Sequence, residues 1–294
     1  MAYILAKNDI HHAYWRNTSK PVITKQGLGV EANGHKFINS FDDNAATSFK
    51  IQDANQVTFS VVFDSEITMN GFAVYGHNFS ESQGLKIEYY SVGDADYSDF
   101  EDTGSLYNGT YTAGKFYRAF GAYIDQDVAV KGLKITTVGW DTNTFMSNFA
   151  IGRWVDGVNL TAPFTPPIYE PQMSEMKRNN KGNPLLTDTR KVPQKFSINM
   201  SNLIESDIFG ATSFTDSIMG FSDTHSFAEY FGYYLPRFPF FLMYDDGTAA
   251  STDADKRARR NRMWYCVIDK QSKQPSYKTP TTLNWRIPVV GYIS

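Results

Sequence analysis

The sequence predicts a mainly β protein: a β-sandwich in the first half, then a β-sheet domain with one packed helix. Three observations predict it. The stretch VTFSVVF places Val57, Phe59, Val61 and Phe63 on one face of an extended chain and Thr58 and Ser60 on the other. Aromatic residues make up 15 % of the chain, with 22 Phe and 18 Tyr, a load that suits pleated, half-buried surfaces. Four of the 12 prolines fall in TAPFTPPIYEPQ, from Thr161 to Gln172, where missing donors and fixed φ exclude both helix and central strand.

That stretch divides the chain into residues 1–160, a semi-rigid linker at 161–172, and residues 173–294. Residues 1–160 hold 12 Lys and Arg against 18 Asp and Glu, net −6, whereas residues 161–294 hold 16 against 13, net +3. Opposite signs suit head-to-tail contact between copies.

The N-terminal MAYILAKNDIHHAYW has neither a long apolar run nor a small-residue cleavage site, so no signal peptide is expected. FPFFLMY, the densest apolar patch, falls far short of the roughly 18 residues a membrane span needs, and no membrane insertion is expected. Cys266 is the single cysteine, which excludes an intrachain disulfide and points to assembly in a reducing cytoplasm. The net charge of −3 gives no electrostatic reason to expect nucleic acid.

In the first half, GLKIEYYS and GLKITTVGW repeat the alternation of VTFSVVF, separated by Gly, Asp, Asn and Ser clusters that suit turns. No amphipathic helix is expected before residue 160. In the second half KFSINMSNL, PFFLMY, MWYCVID and LNWRIPVVGYI read as strands. DTHSFAEYFGYYL spaces Phe227, Tyr230, Phe231 and Tyr234 at helical intervals, with Asp223 or Thr224 as its expected N-cap. ESDIFGATSFTDSIMGFS fits a short helix or a loop.

Chemistry-bearing residues are sparse in pattern. The histidines are His11, His12, His35, His77 and His225. Only the first two adjoin, and adjacent side chains on a strand point to opposite faces, so no shared metal is expected. The chain holds no H-x-x-x-H, C-x-x-C, G-x-S-x-G or Gly-rich phosphate loop, and neither catalysis nor a cofactor is expected. GDADYSDFEDTG clusters Asp94, Asp96, Asp99, Glu101 and Asp102, donors of the type calcium takes, but lacks the glycine and glutamate of an EF-hand; a solvated acidic loop is the alternative. LYNGTYTAGKFYRAF carries Tyr107, Tyr111, Phe116, Tyr117 and Arg118, and Trp140 and Asp141 follow. Together they would make a sugar surface or a subunit contact, or simply core. Two basic clusters remain, KRNNKGN and DKRARRNR; the second brings Lys256, Arg257, Arg259, Arg260 and Arg262 to what reads as a long hairpin loop suited to an intersubunit contact.

VTFSVVFDSEITMNGFAVYGHNFSESQGLKIEYYS resembles a discoidin-like (galactose-binding-like) jelly roll of the kind found in tailed-phage structural proteins: a strand, a short acidic turn, an apolar strand ending in Gly-His-Asn, a polar loop and another strand. KGLKITTVGW and NFAIGRWVDG resemble the late strands that close that sandwich. The resemblance covers roughly residues 20–158. It implies a structural corner, in which Gly76 permits a tight backbone and His77 and Asn78 bond backbone groups left over at the strand end. The second half resembles the sheet-plus-helix domains of tail tubes and tail tips. The implied protein is a non-enzymatic virion structural component of a tail or baseplate. It would act in a ring of its own copies, with other tail proteins as neighbours. The alternatives are a carbohydrate-binding tail module contacting host-surface glycans, and a tail-associated polysaccharide hydrolase.

Overall fold

A computed structural model describes residues 2–44, 46–80, 82–91, 109–112, 119–158, 172–178, 184–191, 194–204, 209, 214–216, 221–225, 227–244, 263–269, 276–280 and 282–293. The fold is mainly β, built from antiparallel sheets with one short packed helix. The first sheet runs β2 (Val22–Gln26), β4 (Thr58–Tyr75), β7 (Ala119–Val138), β5 (Gly84–Tyr90), β6 (Gly109–Thr112), and β9 (Asn148–Gly152) also pairs with β4. The second runs β10 (Trp154–Val158), β1 (Ala2–Leu5), β16 (Phe240–Tyr244), β17 (Met263–Ile268), β19 (Thr282–Ile293), β13 (Gln194–Ile204), with β18 (Ser276–Thr279) on β19. Three small two-stranded ribbons complete it: β3 (Phe49–Lys50) with β8 (Phe145–Met146), β11 (Gln172–Arg178) with β12 (Pro184–Lys191), and β14 (Phe214–Asp216) with β15 (Phe221–His225).

The long strand β4 replaces an expected pair of strands joined by an acidic turn. Asp64, Ser65 and Glu66 are exposed but do not reverse the chain. They sit where the β4–β7 register shifts between Val62 and Ile67, so the extra residues are absorbed as a bulge. On the inner face of this sheet Phe59, Val61, Phe63, Leu85, Ile87, Leu133 and Ile135 join Phe37, Phe41 and Phe49 in one core, with the Phe37 and Phe59 rings stacked at 4.0 Å.

The second sheet is covered on both faces. Phe240, Leu242, Trp264 and Cys266 point to one side and pack with Phe231 and Tyr234 of the helix α2 (Phe227–Tyr234). Phe241, Met243, Met263 and Tyr265 point to the other and pack with Ala73, Ala119 and Ala150 of the first sheet. This is why FPFFLMY shows no polar alternation: both of its faces are buried. Gly121 permits the approach, since a Cβ there would lie 2.4 Å from Phe72 O and 2.7 Å from Met263 Cε.

The second sheet draws strands from both sides of the proline-rich stretch. β1 lies between β10 and β16, with Leu5 opposite Trp154 on one side and Phe241 on the other. Residues 2–5 and 154–158 thus share hydrogen-bonded structure with the second half. Three shorter departures accompany this. Asp223 and Thr224, expected as N-caps of α2, lie in β15. ESDIFGATSFTDSIMGFS, expected as a short helix or a loop, is helical at Phe209 and strand at Phe214–Asp216. Before residue 160 the chain also holds short helical turns: α1 (Asp9–His11) running into a π-type turn at His12–Arg16, and a 3-10 turn at Phe37–Phe41. Turns this short carry no hydrophobic period.

Candidate functional site

At the end of β4 the chain turns through Gly76, whose φ of 68° is a left-handed conformation and whose Cβ, if present, would lie 2.9 Å from Ser147 Cβ. His77 follows, buried, and its Nδ1 accepts the Phe79 backbone N–H at 3.1 Å. Asn78 stands in for a strand partner: its Nδ2 donates to Asn143 O at 2.9 Å and its Oδ1 accepts the Phe145 N–H at 2.8 Å. The turn it grips is organised by Asp141, whose carboxylate accepts from Thr144 Oγ1 and from the Asn143 N–H, both at 2.8 Å. Those bonds, the Thr144 hydroxyl first, hold the Asp141 carboxyl below the usual range.

Trp140, for which a sugar surface, a subunit contact and core all stood open, is a core residue. It is 4 % exposed, packs on Phe49 and Phe79 at ring distances of 5.2 and 5.0 Å, and its Nε1 donates to Gly84 O at 2.8 Å. An indole with its polar edge satisfied belongs in the interior. Asp141 stays on the surface. Tyr111 lies in β6 opposite Leu85. Tyr107, Tyr117, Arg118, the acidic Asp94, Asp96, Asp99, Glu101 and Asp102, and the basic Lys256, Arg257, Arg259, Arg260 and Arg262 lie outside the described residues.

Among the described residues, a set of buried ionisable groups lies where the two sheets meet. Asn8 caps α1 and is its hub: Nδ2 donates to Asp43 Oδ1 at 3.0 Å and to Phe149 O at 3.3 Å, while Oδ1 accepts the N–H groups of His11 and Ile151. Lys7 and Asp9 form a buried ion pair at 2.8 Å. His11 Nδ1 lies 3.0 Å from Phe41 O and 3.3 Å from Asp43 Oδ2. Tyr265, from β17, donates its hydroxyl to Asp43 O at 3.1 Å. His12 is fully buried; its ring meets Phe238 and Tyr234 edge to face at 4.6 and 5.4 Å.

Burial sets the charges in this cluster. It pushes His12 down to about 2 and lowers His11, so both rings are neutral near pH 7. It raises Asp43 to about 7 and lifts the Tyr265 hydroxyl and the Cys266 thiol above their ordinary values. The imidazole 3.3 Å from Asp43 is unprotonated near pH 7, and burial makes it a weaker base than a free histidine. The cluster joins the two sheets, since Asn8 reaches Phe149 O of the first and Asp43 O meets the Tyr265 hydroxyl of the second. The two histidines lie on a helical turn, not a strand, with rings 5.3 Å apart, and among the described residues no set of three His, Cys, Asp or Glu can hold a metal. Sequence reasoning missed Asn8, Asp43 and Tyr265. Asn8 ahead of a helical turn carried an N-cap signal; the other two come from distant segments and carried none.

No protein-family model and no curated protein matches the chain. Among solved structures, it is similar over part of its length to the family 32 carbohydrate-binding module of C. perfringens NanJ in complex with galactose. That match has 13 % identity and a TM-score of 0.34, over 51 % of this chain and 98 % of that one. It is similar also to chitosan-binding module 1 of a chitosanase/glucanase from Paenibacillus sp. IK-5, at 14 % identity and TM-score 0.34, over 49 % and 98 %. A Ruminococcus gnavus GH29 fucosidase in complex with fucose aligns at 16 % identity and TM-score 0.33, over 46 % of this chain and only 26 % of the fucosidase. At these scores none of the likenesses carries a function to this chain.

Proposed function

We propose that this chain is a non-enzymatic structural protein of a tailed-phage virion, a tail, baseplate or tail-tip component. It works through contacts between its own copies and with other tail proteins. The supporting observation is where the side chains go. The histidine and tryptophan residues that invite a chemical role, His11, His12, His77 and Trp140, are buried in the interior. Large apolar side chains stand outside instead: Leu28 is 82 % exposed, Val22 62 % and Trp15 45 %. β2, which carries Val22, ends the first sheet, so its outer edge is available to another chain among the described elements. Locating the protein in a virion by labelled electron microscopy, with purified chain forming closed rings, is the expected result. A monomer at all concentrations and absent from particles would refute the reading.

A second reading is a carbohydrate-binding module that contacts host-surface glycans. The exposed indole of Trp15, edge to face with Tyr14 at 5.0 Å, favours it, because sugars stack on such faces. Specific glycan-array binding at millimolar affinity or tighter, lost in Trp15→Ala, would establish it; loss of host polysaccharide on incubation would establish a hydrolase.

A further inference from the structure

Where the π-type turn after α1 meets the turn after α2, three cations lie over three aromatic rings. Arg16 stands 5.3 Å from the Phe238 centroid, Arg237 4.4 Å from that of Tyr233, and Lys20 5.0 Å from that of Tyr14. Ring contacts run on from these pairs. Tyr233 contacts Tyr234 at 5.1 Å, Tyr234 contacts Phe238 at 6.1 Å, and Tyr14 contacts the exposed Trp15. Arg16, Lys20 and Arg237 are all exposed, and none forms an ion pair with a carboxylate of the described residues.

Arg237 is already fixed in place. Arg237 Nη1 donates to Tyr233 O at 2.9 Å, and Pro236 and Pro239 stiffen the turn that presents it. A guanidinium laid flat on a ring keeps its N–H edges free for a carboxylate, and a partner that meets it loses little side-chain entropy. Arg, Trp and Tyr are the residues that dominate binding at protein interfaces. The chain as a whole is net −3, so a long polyanion would be repelled beyond the patch, whereas a short acidic segment would not.

We propose that this cationic–aromatic face is an interface that takes the carboxylate-rich stretch of a second copy, Asp94 to Asp102, in which five carboxylates fall within nine residues. The interface rests on the self-assembly reading above and names the contact that drives it. It is built by residues 14–20 and 233–238.

The test is sedimentation velocity on the full chain at low and high salt. Wild type self-associates, more weakly as salt rises. Arg16→Glu with Arg237→Glu lowers the association constant about tenfold or more, with thermal unfolding unchanged. Asp94→Lys with Asp96→Lys and Asp99→Lys lowers it similarly. Mixing the two variants restores association, because each then offers the other a complementary charge. If the charge-reversed patch misfolds, Arg16→Ser with Lys20→Ser reads the same contact. Wild-type association by folded patch variants, or failure of the mixture to recover, overturns this interface and leaves the assembly reading standing. A wild type that stays monomeric overturns both, as does a monomer whose patch instead binds a heparin oligosaccharide.

Discussion

The Tyr265 hydroxyl donates to the backbone carbonyl of Asp43 at 3.1 Å, across 222 residues of sequence. It ties β17 of the second sheet to a loop beneath the first. Tyr265 also stacks on Tyr75 at 4.7 Å, so its ring spans the same boundary. Tyr265→Phe keeps the stacking and removes the hydrogen bond, leaving the carbonyl without that donor. The expected loss is about 1 kcal/mol of unfolding free energy, read from urea denaturation.

His12 makes stability fall as pH falls. Its native pKa is about 2, against 6.5 in an unfolded chain, so unfolding takes up a proton throughout that window. The contribution is fully present above about 6.5 and is lost progressively below it, by up to about 1.4 kcal/mol per pH unit. His12→Phe fills the same aromatic setting without a titrating group. Its stability relative to wild type is expected to rise at that slope between pH 6 and pH 4, measured by chemical denaturation at each pH.

Asp43 runs the other way. Its carboxyl is raised from 3.8 to about 7 in the native state, so its contribution is present below about 4 and is lost as pH rises towards 7. Asp43→Asn imitates the protonated form, and Asn accepts the left-handed φ of 58° found here. The variant is expected to match wild type near pH 4 and to be more stable than it above pH 7. Equal stability at both pH values would refute the raised pKa.

Gly121→Ala is expected to destabilise by about 1–3 kcal/mol, because the added methyl meets the Phe72 carbonyl and the Met263 methyl at once. Met263→Ala in that background relieves one of the two clashes, so partial recovery in a thermal melt is the signature of the contact.

A chain lacking residues 1–8 is expected to lose cooperative unfolding of the second sheet. β1 is an inner strand, hydrogen-bonded to β10 on one side and β16 on the other, and Asn8 caps the helical turn behind it. Hydrogen exchange of the β16 and β17 amides should rise in the truncated chain and stay slow in the intact one.

The strands were legible where one face is wet. β4 and β5 carry the mark of it in Thr58 and Lys86, half-buried beside the buried Phe59, Leu85 and Ile87, whereas Ser60, polar in the sequence, is itself buried. Two-sided burial left no such mark: PFFLMY reads as a strand, but nothing in it says that Phe240 and Phe241 enter different cores. The placement of β1 was illegible for another reason. AYIL is four residues long, and its partners lie near residues 155 and 242. Trp140 was left open between surface and core because an aromatic beside Asp-Thr-Asn fits a loop as well as an interior; its burial is decided by Gly84 O and Phe79, which the local sequence does not announce. The ionisable cluster at the sheet junction depends on three separated segments, so only the capping role of Asn8 had a local signature.

The position of β1 has a consequence for how the protein is made. β1 is synthesised well before its β16 partner, more than 200 residues later in sequence, with Leu5 waiting for Phe241. Until those late residues emerge, the apolar side chains of Tyr3, Ile4 and Leu5 lack the strand that covers them. Closing so long a loop is slow, and it follows completion of the first sheet, whose core strands are all synthesised by residue 152. The nascent chain therefore passes through a stage with one finished sheet and β1 still without its β16 partner, which is where a chaperone would be expected to hold it.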